Sequence, residues 1–393
     1  MNIEITLLNT DFEAIDILDN YKSFIWNDRY NEAGDFELCI PIGSDVPNNI
    51  RKGYYIENSN SDRTMIIETL TIDSDEDGTY LMVSGKSLES LLSRRIVWNK
   101  TVFSMNATTG EDPNLQNGLK TLFDANLIDP AIRVRRLDNF VFKLSDDEKV
   151  KNLTFEGEYL GEDLYEIVTS LCREKEIGFK LTRDTVYTNT GDGIKRTNTF
   201  VFELFAGVDR SYEQSTNDYV IFSKEFDNVI STNYLDSDSS LKNVTLIVGE
   251  STYNEDGTED SRIEYTLNIA PAEGEIPTGI ERREVFTDAT NLSTTDEYGG
   301  VLSADQYKAR LKQKGIDTLM ENTSVTAFEG DIETDGLFKY GIDFFIGDIV
   351  QITNEYDKGG QARVTEFIMS CDGSGVYTYP TFTAIQKGVY ETT

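Results

Sequence analysis

The chain has 393 residues, 38% of them hydrophobic, with 20 Tyr and 21 Phe; this length exceeds what one core usually serves, so two or more domains are expected, with aromatic rings supplying much of the burial. A formal net charge of −34 argues against a nucleic-acid-binding or anionic-membrane face, since both need clustered Lys and Arg. The absence of histidine removes Ser-His-Asp and Cys-His triads, His-ligated zinc and the usual neutral-pH base.

Strand patterns dominate the first 98 residues. Ile3 to Leu8, Ala14 to Leu18, Tyr21 to Trp26 and Phe36 to Pro41 alternate or carry β-branched and aromatic runs, and further strands are expected at 54–57, 65–72 and 79–84. Six or seven short strands in about 85 residues predict a small β-barrel or sandwich. Asn27 to Asp35 is a polar loop containing Gly34. Ser87 is placed to cap a short helix bearing Leu88, Leu91 and Leu92, which ends at Arg94 and Arg95.

From Trp98 the texture becomes α+β. Pro113 to Phe123 has helical spacing, and Glu162 to Lys175 places Leu164, Val168, Leu171 and Cys172 on one face. Gly178 to Leu181 and Thr199 to Leu204 predict strands that pair across a turn at 190–193. Strands return at Phe226–Ile230 and Asn243–Val248, with a hairpin turn expected at Asn254-Glu-Asp-Gly. Pro271 to Gly300 is expected to be a loop-rich excursion. Ser303-Ala-Asp-Gln opens a helix as a capping-box variant, with Tyr307, Leu311, Gly315 and Leu319 at i,i+4 spacing. Ser324 to Gly330 then predicts a strand entering the closing segment, and the residues after Ala384 are polar.

That closing segment, Lys339 to Phe382, is a β-meander: three alternating runs separated by Lys358-Gly-Gly and Cys371-Asp-Gly-Ser-Gly. Its pattern repeats the earlier one. Gly347-Asp-Ile-Val-Gln-Ile matches Gly53-Tyr-Tyr-Ile-Glu-Asn, and Arg363 to Ser370 matches Met65 to Ile72, with acidic turns following each. A duplication would let three chains present six similar β-units in a ring.

Few residues carry chemistry. Cys39, Cys172 and Cys371 are odd in number and lack CxxC spacing, so neither a disulfide framework nor a zinc site is expected. Asp73-Ser-Asp-Glu-Asp-Gly fits the first half of a calcium loop through Asp73, Asp75 and Asp77, but its twelfth position is Ser84 and its flanks are strands; an acidic hairpin turn explains it. With 70 acids, no carboxylate pair stands out as a glycosidase dyad, and Asp163 with Glu166 reads as a solvated helix face. The Gly-rich turns lack the Lys-Ser/Thr of a phosphate loop, and Trp26 and Trp98 read as packing anchors. No catalytic, cofactor or metal residue is therefore assigned. The start at Met1 shows no signal-peptide pattern, and no run of about 18 apolar residues exists to span a membrane.

The stretch Phe24-Ile-Trp-Asn-Asp-Arg-Tyr-Asn-Glu-Ala-Gly-Asp-Phe-Glu-Leu resembles a signature of siphophage tail hub (tail-tip) proteins, relatives of the trimeric baseplate hub of contractile-tailed phages. Val83-Ser-Gly-Lys-Ser-Leu, Leu91-Leu-Ser-Arg-Arg, Arg282-Arg-Glu and Gly341 to Val350 add to the likeness, which runs from about residue 3 to 383. The resemblance implies a mainly β fold with α+β insertions: two tube-type β-barrel domains at 1–98 and at 216–250 with 322–386, an α+β domain at 99–215, and an inserted loop and helix region at 251–321. It implies a homotrimer at the distal tip of the tail tube, in the virion after synthesis in the host cytoplasm. Its partners would be the distal tail protein ring, the tube protein, the tape-measure protein and tip, spike or receptor-binding proteins, with DNA only passing through. An acidic channel wall would suit that passage, although acidity also serves solubility. Relatives often carry C-terminal wall-hydrolase or receptor-binding modules; here the sequence ends just after the second β-unit, so such activities are expected in other proteins. A host-surface adhesin or carbohydrate-binding protein is the alternative, followed by a carboxylate-based wall hydrolase.

Overall fold

The alternation of the first 87 residues is realised as seven strands: β1 (Ile5–Leu8), β2 (Ala14–Ile17), β3 (Ser23–Arg29), β4 (Asp35–Pro41), β5 (Tyr55–Asn58), β6 (Thr64–Asp75) and β7 (Gly78–Ser87). The structure is a computed structural model, and it describes residues 3–42, 49–75, 78–106, 111–190, 193–226, 228–253, 259–270, 277–295, 300–320, 322, 324–332, 337–354, 356, 359–384 and 390–392. The period of two places Phe24 and Trp26 of β3, Phe36 and Leu38 of β4, Met65 and Ile67 of β6, and Leu81 and Val83 of β7 in one buried core. Ser87 does open a short turn of 3-10 helix, Leu88–Arg94, but makes no cap bond to it. Its hydroxyl instead accepts from the Gly34 N–H at 2.8 Å, tying the turn to the β3–β4 loop.

The middle block contains β8 (Thr101–Phe103), α1 (Leu115–Phe123), β9 (Phe140–Lys143), α2 (Glu148–Lys151), β10 (Gly157–Tyr159), α3 (Leu164–Glu174), β11 (Gly178–Thr190) and β12 (Gly193–Phe205). Asn114 caps α1 and Asp163 caps α3, each side chain accepting a backbone N–H of the first turn. The predicted stripe Leu164, Val168, Leu171 and Cys172 is buried against Phe179 and Phe202 of the β11–β12 hairpin, whose register runs from Gly178↔Phe205 to Thr190↔Gly193. Strand β9 lies parallel beside β12. Residues 191–192 of the expected turn fall outside the described residues.

The remainder holds β13 (Ile221–Ser223), β14 (Val229–Ser237), β15 (Val244–Tyr253), β16 (Glu259–Ala270), β17 (Glu284–Asp288), α4 (Ala304–Met320), β18 (Val325–Ile332), β19 (Ile349–Thr353), β20 (Gly359–Asp372), β21 (Gly375–Ala384) and β22 (Tyr390–Thr392). Three points differ from the sequence reading. The strand expected from Phe226 begins at Val229, because Lys224–Phe226 forms a 3-10 turn. The Asn243–Val248 strand does not join the closing meander; it pairs with β16 and β17 in a separate four-stranded sheet, order β17-β15-β16-β22. The 271–300 excursion contains a real strand, β17, parallel to β15. The Asn254 to Gly257 turn lies outside the described residues. Helix α4 packs Tyr307, Leu311 and Leu319 against Ile247 of this sheet.

The closing meander and the first seven strands form one sheet. Its order is β14-β18-β21-β20-β3-β4-β7-β6-β5-β1-β2, with β19 also paired to β20 and β13 paired to β19. The fold is thus mainly β with α+β insertions, 44% strand against 19% helix.

Candidate assembly site at the junction of two β-units

The two ends of the sequence meet where β20 runs antiparallel to β3, from Glu366↔Arg29 to Asp372↔Ser23. Phe367 and Met369 of β20 thereby enter the core formed by the first seven strands, and Tyr340 stacks on Phe367 with ring centroids 3.5 Å apart.

The two β-units repeat each other at the level of single hydrogen bonds. In the β6–β7 hairpin seven pairs separate the turn from a bulge, Asp75↔Gly78 to Thr69↔Ser84, with Glu68 bulged. In the β20–β21 hairpin seven pairs again do so, Asp372↔Gly375 to Glu366↔Thr381, with Thr365 bulged. Before the bulge, Gly53 donates to the Ile67 carbonyl, and Ile67 to that of Tyr54; Gly347 donates to Val364, and Val364 to Asp348. Gly53 and Gly347 share left-handed φ values of +84° and +91°. The first match, Gly53 with Gly347, is as the sequence suggests. The second is shifted by one: Met65 corresponds to Ala362 rather than Arg363, because the bulge, not the shared Glu, sets the register. Beyond these hairpins, β4 stands beside β7 as β18 beside β21, and β3 beside β4 as β14 beside β18.

A polar knot fastens the junction. Trp26 is fully buried and its indole N–H donates to Asp28 Oδ1 at 2.8 Å, while the Ser61 hydroxyl donates to Oδ2 at 2.8 Å. Burial pushes the Asp28 carboxyl up to about 6, against the pull of the nearby Arg63 guanidinium. Arg63 forms a buried ion pair with Glu89, which also accepts the Leu181 N–H of β11 at 2.9 Å. Arg29 donates to Glu366 across the junction at 2.7 Å, to the Ala33 carbonyl at 3.0 Å, and to Asp35.

Tyr30 is the pin between the blocks. Its N–H donates to the Thr365 carbonyl at 2.9 Å, its ring fills the space beside Gly178 and Gly347, and its hydroxyl donates to the Glu176 carbonyl at 3.2 Å. A Cβ on Gly347 would lie 2.3 Å from that ring, and one on Gly34 would lie 2.3 Å from the Asn27 carbonyl oxygen. Burial raises the phenol to about 12. Nearby, Asp348 accepts from Val208 N–H and from Arg210 Nε, both at 2.8 Å.

The segment Asn27–Asp35, expected as a loop but holding the end of β3 and the first residue of β4, is brought here beside Gly347 of the Gly341 to Val350 stretch. Sequence reasoning did not find Arg63, Glu89 or Ser61; a lone Arg and Glu within strand and turn patterns give no signal until folding buries both. Of the other candidates, Asp163 is the α3 cap, and Glu166 lies on the first turn of the same helix. Trp98 is 52% exposed beneath the Arg135 guanidinium, and Cys39 and Cys172 are buried. Asp73 and Asp75 sit at the tip of the β6–β7 hairpin, while Asp77 is outside the described residues. Among the described residues no group of three or more His, Cys, Asp or Glu gathers around a possible metal position, and no helix is long and apolar enough to cross a membrane.

This architecture, two β-units spliced into one sheet with α+β insertions, is the fold of phage tail proteins. It is similar to a 43 kDa tail protein of prophage MuSo2 from Shewanella oneidensis (TM-score 0.53, 12% identity, 96% of this chain and 98% of that one). It is also similar to the prophage tail protein gp18 from Listeria monocytogenes EGD-e (TM-score 0.51, 12% identity, 98% and 95%) and a tail protein from Neisseria meningitidis MC58 (TM-score 0.51, 12% identity, 98% and 97%). The chain belongs to the Siphovirus ReqiPepy6 Gp37-like protein family, whose profile matches residues 4–382. No curated protein matches the sequence.

Proposed function

We propose that this phage tail protein is a structural, non-enzymatic hub. Three copies surround the tail axis at the distal end of the tube, adapt its sixfold symmetry to a threefold tip, and line the channel through which DNA leaves. The observation that carries this is the repeat of one β-unit within the chain, matched in bulge position, glycine conformation and strand neighbours. Two such units per chain turn a trimer into six near-equivalent positions, which a sixfold ring of tube or distal tail proteins can dock upon. The net charge of −34 supports a wall that repels phosphate during passage. On this reading the 1–98 segment and the 322–386 segment with β14 supply the ring. The middle block 99–215 and the sheet around α4 stand outside it, towards tape-measure, tip or receptor-binding partners.

Negative-stain electron microscopy of the purified chain, with mass photometry, tests the reading. Threefold rings of near-sixfold outline with a central hole are expected. Particles that remain single chains at 1 M NaCl, where charge repulsion is screened, would overturn it.

A further inference from the structure

The repeat supplies a template for the contact that closes the ring, and this inference rests on the trimeric reading above. Within the chain, one junction between β-units is already made: the part of β20 beyond its bulge pairs with β3. Its counterpart, β6 beyond Glu68, has β7 on one side, while β5 accompanies it only as far as Ile66. The counterpart of β3 is β14, which stands at the end of the sheet order with β18 on its inner side. Among the described residues, each chain therefore carries one junction made and the two halves of a second, on strands equivalent to those of the first.

We infer that β14 of one chain pairs antiparallel with β6 of the next, in the register set by the β3–β20 junction. Position 372 of β20 corresponds to 75 of β6, a difference of 297, and the sheet rows align Trp26 with Tyr234, a difference of 208. Met369↔Trp26 then becomes Ile72↔Tyr234, and Ile368↔Asn27 becomes Thr71↔Leu235. The side chains agree with this. Met369 is fully buried at the made junction, whereas its counterpart Ile72 is 56% exposed, and Leu235 is 50% exposed. Ile72 would enter the second core, around Phe222, Val364 and Phe382, as Met369 enters the first, while its neighbour Leu70 already packs against the first core of its own chain. Pairing also covers two strand edges that would otherwise invite uncontrolled association. The contact is heterologous, head to tail, so it closes into a ring only if the rotation allows.

The register chooses the test. The Tyr30 N–H donates to the Thr365 carbonyl, and strict alternation then makes Ile368·Asn27 a non-hydrogen-bonded pair, the kind whose side chains approach closest. Its transferred equivalent, Thr71·Leu235, suits a disulfide. Full-length chain carrying Thr71→Cys and Leu235→Cys, in a Cys371→Ser background, is oxidised at 1 M NaCl and run on a non-reducing gel while mass photometry reads the oligomer. Trimers with covalent two- and three-chain bands are expected. Ile72→Cys with Leu235→Cys, slipped by one residue onto opposite sheet faces, should give none. Trimers without the matched cross-link, or with equal cross-linking of the slipped pair, would overturn these edges and leave the hub intact. Single chains would overturn both. Separately, Ile72→Asp should lower the trimer fraction at least about tenfold without changing the melting of the single chain, because Ile72 is exposed there; an unchanged trimer fraction counts against the pairing.

Discussion

At the residue scale, Asp28 is the most consequential titrating group of the junction. Its carboxyl is raised from 3.8 to about 6 by burial. Between those values the folded chain holds a proton that the unfolded chain has released, so this group's contribution to stability falls as pH rises through that window. Asn at position 28 can still accept from the Trp26 indole and can donate to the Ser61 hydroxyl, and it does not titrate. Comparing thermal unfolding of wild type and Asp28→Asn across pH 4 to 7, the wild type should lose ground against the variant on the order of 2–3 kcal/mol. A difference that stays flat with pH would show that Asp28 is not desolvated. Gly34 is a second point of strain-free fit. Ala there would drive its methyl into the Asn27 carbonyl oxygen, so the β3–β4 backbone must shift to admit it. Urea unfolding of Gly34→Ala should show a loss of about 2–3 kcal/mol; a loss well under 1 kcal/mol would mean that the hairpin opens easily.

At the element scale, the capping box at α4 was legible outright. Gln306 N–H donates to Ser303 Oγ at 3.3 Å, and Ser303 N–H donates to Gln306 Oε1 at 2.9 Å. Ser303→Ala should cost about 1 kcal/mol, read as earlier proteolysis or unfolding of the α4 region. The strands of the first 87 residues were equally legible, because one buried face and one exposed face write the period of two into the sequence. Register was not. The Glu shared by Met65–Ile72 and Arg363–Ser370 suggested an alignment one residue off, since Glu68 is itself the bulged residue whereas Glu366 lies one past the bulge at Thr365. Sheet membership was hidden too: β15 alternates like a strand of the closing meander, yet its partner β17 lies some forty residues on, within a charged segment read as loop. Local pattern reports that a strand exists, not which sheet receives it. The knot of Asp28, Arg63 and Glu89 was hidden for a similar reason, since charged residues in an acidic chain look solvated until the fold buries them.

At the scale of the whole molecule, charge and edge pairing oppose each other. Each chain brings a net charge of −34, and bringing three together places like fields side by side. The proposed contact is made of strand edges and of the exposed Ile72 and Leu235, not of ion pairs. Salt should therefore strengthen assembly: screening shortens the range of repulsion from about 10 Å at 0.1 M to about 3 Å at 1 M, while backbone pairing and apolar burial are little weakened. Mass photometry or sedimentation over that range should show the trimer's apparent dissociation constant falling by tenfold or more. The opposite response, trimers coming apart as salt rises, would mean that complementary charges hold the chains together. The interface would then lie elsewhere on the surface, and the closing edges at β6 and β14 would have to be abandoned. A trimer that hardens with salt also explains how an acidic protein remains dispersed at low ionic strength until a docking ring holds its copies close enough for their edges to pair.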